Sequence, residues 1–105
     1  MFTSHVLDMV LGKPASGMQV EIFTGEKLLA SAWTDENGRI RDFKVETNWE
    51  SACYRLRFGV AAYFAKQELG SLYPWVDIHL EAVFPGSYHI PLILAPNGYS
   101  TYRGS

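Results

Sequence analysis

The chain has 105 residues, 48% hydrophobic and 14% aromatic, with nine Lys and Arg against eleven Asp and Glu and a net charge of −2. This length fits one domain over residues 1–105 with little volume for a deep private active site, so a sizeable pocket is expected to be shared between subunits. The slightly acidic balance without basic runs argues against nucleic-acid binding, the lone Cys53 excludes an internal disulfide, and no apolar stretch is long enough to span a bilayer.

The opening Met1-Phe2-Thr3-Ser4-His5 has neither a basic nor an apolar signal region, and a cytoplasmic protein is expected. Turn-forming clusters then recur at Gly12-Lys13-Pro14, Thr24-Gly25-Glu26, Asp35-Glu36-Asn37-Gly38, Glu46-Thr47-Asn48, Phe84-Pro85-Gly86 and Pro96-Asn97-Gly98. Between them lie short segments rich in Val, Ile, Leu, Tyr and Phe, a spacing that predicts an antiparallel all-β sandwich or barrel.

The first strand carries His5 with Leu7 and Met9 on its own face. Over 18–23, Met18, Val20 and Ile22 oppose Gln19 and Glu21; over 54–58, Tyr54, Leu56 and Phe58 oppose Arg55 and Arg57. Period two with one polar face marks half-buried strands. Val60, Tyr63, Phe64 and Gln67 fall at helical spacing instead, predicting one short α-helix over 60–68 that ends near Gly70. Alternation resumes over 76–82, where Val76, Ile78, Leu80 and Ala82 oppose Asp77, His79 and Glu81. In 86–94, Tyr88, Ile90, Leu92 and Leu94 form a core face, with His89, Pro91 and Ile93 behind them. Pro and Ile beside a His suit a face packed on another chain better than a solvated one, and Pro91 removes one ladder donor.

Taken singly, the polar candidates are weak. His79 reads as surface, and His5 and His89 as structural or functional imidazoles. There is no His pair at ligand spacing and no second Cys, so no metal is expected. Thr34-Asp35-Glu36-Asn37-Gly38-Arg39 reads as a turn whose Asn37-Gly38 pair supplies positive φ, with Arg39 an ordinary surface residue after a hairpin. Cys53 has no acid–base neighbour in sequence. Trp33, Trp49 and Trp75 suit core or loop anchors as well as ligand stacking. Tyr102-Arg103-Gly104-Ser105 suits a frayed tail or an expression-linker remnant.

Their order is more specific. His5-Val6-Leu7-Asp8, Gly12-Lys13-Pro14-Ala15, Thr34-Asp35-Glu36-Asn37-Gly38-Arg39, Tyr63-Phe64 with Leu72-Tyr73-Pro74, Tyr88-His89-Ile90-Pro91-Leu92 and Gly98-Tyr99-Ser100-Thr101-Tyr102-Arg103-Gly104-Ser105 resemble, along the whole chain, the transthyretin-like family. Within it they are similar to the 5-hydroxyisourate hydrolases of purine catabolism. The hormone carriers of the family lack counterparts of His5, Arg39, His89 and the Tyr-Arg-Gly-Ser end. The chain departs from the hydrolase pattern at Ala95, where Ser is common, at Asn97, where an aromatic is common, and in a shorter Glu21–Ser31 hairpin.

The resemblance implies an eight-stranded antiparallel sandwich with one short helix, assembled as a homotetramer (a dimer of dimers) with sites at the dimer–dimer interface. It implies hydrolytic ring opening of 5-hydroxyisourate without metal or cofactor. His5 and His89 would position and deprotonate water, Arg39 would bind substrate and stabilise the oxyanion, and Ser105 would relay a proton. Tyr102, Arg103 and Gly104 would shape the cleft. These residue types suit the chemistry: a neutral imidazole is a base near neutral pH, and a guanidinium fork holds a planar anion. A non-catalytic small-molecule carrier is the alternative, and a structural sandwich module a third.

Overall fold

Alternation decides the first strand. In the computed structural model, which describes residues 1–45 and 48–105, β1 (Phe2–Asp8) buries Phe2, Ser4, Val6 and Asp8 and turns Thr3, His5 and Leu7 outward. The remaining elements are β2 (Lys13–Pro14), β3 (Gln19–Thr24), β4 (Lys27–Trp33), β5 (Arg39–Ile40), β6 (Ala52–Phe58), α1 (Val60–Ala65), β7 (Val76–Ala82), β8 (Tyr88–Ala95) and β9 (Gly98–Thr101). The turn expected at Glu46-Thr47-Asn48 lies partly outside the described residues.

The expected all-β sandwich with one short helix forms. One sheet runs β2-β1-β8-β9 with β5 also beside β1, and the other runs β4-β3-β6-β7. Among the described residues there are nine strands, because β2 and β5 are two-residue pairings along one edge of β1. The sandwich is also not wholly antiparallel: β1 and β8 pair in parallel over seven residues, Phe2 opposite Tyr88 through Asp8 opposite Leu94. The chain leaves β1, builds the second sheet and returns, a crossover that brings β8 back in the same direction.

Two other expectations change. α1 ends at Ala65 rather than near residue 68. The chain tightens there into Gln67 N–H to Phe64 O and Glu68 N–H to Ala65 O turns, and Glu68 itself takes the left-handed conformation with φ 58°, so Gly70 is not the stop. Arg39 does not follow a hairpin: β4 pairs with β3 and β5 with β1, so the 34–38 turn carries the chain from one sheet to the other. In that turn Gly38 has positive φ, at 72°, and Asn37 does not.

The core lies between the sheets. Val6, Val20, Ile22, Leu56, Leu92 and Leu94 are fully buried. At one end Phe2 meets Trp49, Tyr54 and Phe84 edge-on at 4.9, 5.1 and 5.6 Å between centroids, so Trp49 is a core anchor. Trp33 and Trp75 are exposed instead; Arg57 stacks on Trp75 at 4.5 Å, and the same guanidinium forks onto Asp77 at 2.8 and 2.9 Å. His79 is exposed on this outer surface, opposite Arg55, and Cys53 is exposed and free.

At the other end Asp8 is buried with four donors: Tyr63 OH at 2.6 Å, Gln67 Nε2 at 2.9 Å, and the backbone N–H of Val10 and Leu11. Burial raises its pKa, but the donors outweigh burial and hold it below the ordinary carboxylate value. A depressed carboxylate contributes stability above its unfolded pKa and loses it as pH falls through the folded one. We therefore predict that Asp8→Asn flattens the acid arm of a Tm-against-pH curve; an arm as steep as wild type would remove Asp8 from this role.

Candidate active site

Three neighbouring strands place polar side chains on the outer face of the first sheet. Arg39 of β5 lies directly opposite His5 of β1, and on the other side of β1 His89 of β8 lies opposite Thr3. His5 faces Pro91, two residues from His89, so the imidazoles are diagonal neighbours on one face. The structure thus brings His5, Arg39 and His89 together from three distant segments.

The turn before Arg39 is locally encoded. The Asp35 carboxylate accepts the N–H of Asn37 at 2.8 Å and of Arg39 at 3.0 Å, and Gly38 N–H donates to Asp35 O at 2.9 Å. The bond from Arg39 N–H is the main reason the Asp35 carboxyl titrates below its ordinary range. Gly38 O then accepts Val6 N–H at 2.8 Å, which ties the turn to β1 beside His5.

His89 is half-buried. Its Nδ1 lies 2.8 Å from Thr3 Oγ1, and its backbone carbonyl accepts Gly104 N–H at 2.8 Å. Gly104 packs so closely on the ring that a Cβ there would overlap His89 Cδ2. Burial first, then the charge of Arg39 and of His5, hold the His89 pKa below 6.5. The ring therefore stays neutral, and basic, across the physiological range.

A cleft of about 440 Å³ opens beside this ring, lined by Thr3, Arg39, Arg41, His89, Gly104 and Ser105 together with Met1, Ser4, Ile40, Ser87 and Tyr88. Gly104 and Ser105 of the expected tail are on its wall; His5 stands beside it without lining it. Tyr102 and Arg103 lie elsewhere, in a smaller cleft of about 230 Å³ between β7 and the tail. There Arg103 stacks on Tyr88 at 4.5 Å and donates to Ser87 O at 3.3 Å, fastening the tail rather than entering the His89 cleft. Sequence reasoning missed Thr3 and Arg41. Thr3 is findable by strand period, two residues from His5 on one face of β1, whereas Arg41 lies just past β5 and follows Arg39 only by proximity in sequence. No cluster of three or more His, Cys, Asp or Glu side chains fit for a metal is found among the described residues.

The sheet order with its parallel β1–β8 pair, and an imidazole–guanidinium cleft on the outer face, define a transthyretin-type sandwich with a polar site. The chain belongs to the HIUase/Transthyretin family, whose profile matches residues 2–104. It is 41% identical to a 5-hydroxyisourate hydrolase of Halalkalibacterium halodurans, over 98% of this chain and 96% of that one. Among solved structures it resembles the 5-hydroxyisourate hydrolase of Klebsiella pneumoniae, with a TM-score of 0.91, 32% identity and coverage of 99% and 98% of the two chains. Sea bream transthyretin in complex with thyroxine superposes with the same TM-score, 0.91, at 24% identity over 98% and 93% of the chains, a likeness of fold alone.

Proposed function

We propose that the chain is a 5-hydroxyisourate hydrolase, opening the six-membered ring of 5-hydroxyisourate to 2-oxo-4-hydroxy-4-carboxy-5-ureidoimidazoline. The observation that carries this reading is the meeting of His5, Arg39 and His89 on one sheet face. Water is deprotonated by His89, with His5 beside it sharing the positioning of that water. The hydroxide adds to the ring carbonyl, and the Arg39 guanidinium takes the developing oxyanion and holds the planar substrate. Collapse breaks the adjacent C–N bond, and the proton taken from water passes to the leaving nitrogen. Ser105, which lines the cleft, relays that proton. Gly104 sets the ring's position, Arg103 holds the tail that carries both, and Tyr102 shapes the neighbouring cleft.

The assembly that accompanies this reading is a homotetramer, a dimer of dimers with clefts at the dimer–dimer interface. Its support is the outer face around His5, where Leu7 and Ile93 are half-buried and Pro91 buried, residues seldom grouped on a solvated face. A cytoplasmic setting suits the free, exposed Cys53.

The test is the ultraviolet decay of 5-hydroxyisourate, made in situ by urate oxidase, with and without the protein. Acceleration is expected, with losses of about 10²–10⁴-fold in His5→Ala, His89→Ala and Arg39→Ala. The acid limb of kcat/KM should fall below pH 6.5, because the depressed His89 pKa keeps the base neutral to lower pH. Arg39→Ala removes a positive neighbour and should move that limb upward. Saturable binding without acceleration would make the chain a carrier instead.

A further inference from the structure

The imidazole of His89 is held on two edges. Nδ1 lies 2.8 Å from Thr3 Oγ1, and the Cδ2 edge packs on Gly104. Those contacts leave Nε2 as the ring nitrogen available to the cleft that His89 lines. A neutral imidazole carries its proton on either nitrogen, and Nε2 can act as a base only when that proton is on Nδ1. The partner of the second nitrogen decides between the two tautomers.

We propose that Thr3 is a positioning residue for this base: its hydroxyl oxygen accepts the Nδ1–H of His89 and fixes the tautomer with a free lone pair on Nε2. The parallel register puts Thr3 directly opposite His89. The neighbouring hydroxyl cannot serve, since Ser4 points inward and donates to Ile90 O at 2.7 Å. This inference rests on the hydrolase reading for its kinetic consequence, though not for the tautomer itself.

The charged groups acting on the ring are His5 from β1 and Arg39 from β5, and Arg41 and the Met1 ammonium line the same cleft. All remain in a Thr3 variant, so a change in titration reports the lost hydroxyl. An acceptor of Nδ1–H binds the imidazolium more strongly than the neutral ring, so its removal lowers the His89 pKa. Were the hydroxyl instead a donor to Nδ1, it would favour the neutral ring, and its removal would raise that pKa.

The experiment compares wild type, Thr3→Val and Thr3→Ser. Valine suits a strand and keeps the branched shape; equal Tm values would establish that β1 is intact, and the serine variant carries the test if valine unfolds the chain. Imidazole nitrogen chemical shifts of His89 are read across pH without substrate, and the pH profiles of kcat and KM with it. The expected result is a protonated Nδ1 in wild type and in Thr3→Ser. Thr3→Val should show mixed tautomers, a kcat lower by about 10–100-fold, a nearly unchanged KM and an acid limb at lower pH. The proposal is overturned if Thr3→Val keeps the wild-type tautomer and kcat, if its limb moves to higher pH, or if Thr3→Ser titrates with mixed tautomers. A wild-type protein that fails to accelerate the decay sinks the hydrolase reading, and the nitrogen shifts still decide the role of Thr3.

Discussion

Replacing Gly104 with alanine is expected to lower kcat/KM for 5-hydroxyisourate by about 10²-fold or more, with the sandwich still folded. The added Cβ would overlap His89 Cδ2 and lie 3.3 Å from both His89 Cγ and Pro91 Cγ. Either the ring turns away from Thr3, or the tail lifts and loses the Gly104 N–H bond to His89 O. Both outcomes misplace the base. Gly104 is needed for space rather than for a left-handed backbone, since it is not among the positive-φ glycines. Gly98→Ala is the control: a Cβ there meets nothing within 4 Å. Steady-state kinetics beside a thermal melt would check this, and wild-type turnover in Gly104→Ala would remove His89 from the reaction.

Gly38→Ala should fail in a different way, by losing stability. Gly38 has φ 72°, and a Cβ there would come within 2.5 Å of Val6 O, 2.9 Å of Pro14 Cβ and 3.1 Å of Ala15 N. Two of those atoms belong to the Ala15 N–H to Val6 O bond, 2.9 Å long, so neither can yield without breaking it. The strained φ and the backbone clash together should cost on the order of 3 kcal/mol or more. That corresponds to a drop in Tm of more than ~10 °C for a domain of this size. Activity should fall as well, because Arg39 is the next residue. A melt within ~2 °C of wild type would show that the turn can move away from β1 at little cost.

The sandwich could be read from the sequence because period two is a local property. Met18, Val20 and Ile22, or Tyr54, Leu56 and Phe58, announce a buried face without reference to any other strand. The same rule put His89 on the outer face, and family order singled out His5 and Arg39. What a single sequence cannot contain is which strand lies beside which. Nothing in Phe2–Asp8 or Tyr88–Ala95 states that they run parallel, and the antiparallel expectation came from turns that join near neighbours. Spacing alone places Thr3 on the His5 face of β1, but its pairing with His89 is set by register. Tyr102 and Arg103 show the converse, where a shared motif does not mean a shared cleft. Once past β9, the chain places Arg103 over Tyr88 and Gly104 against His89 on different sides. The helix end was misread because Gly70 is the obvious stop, yet Glu68 takes the left-handed position first.

The parallel β1–β8 pair is expected to close late in folding. The Thr3–His89 contact closes a loop of 86 residues, whereas β3–β4 and β6–β7 join strands close along the chain. Closing the longer loop costs more chain entropy, and contacts of high sequence separation form slowly. During synthesis His89 emerges long after Thr3, so the second sheet can assemble while the first still lacks two of its strands. Regain of activity after dilution from denaturant should therefore lag the recovery of circular dichroism, and simultaneous recovery would contradict this order. A newly made chain would then look folded before it could bind anything.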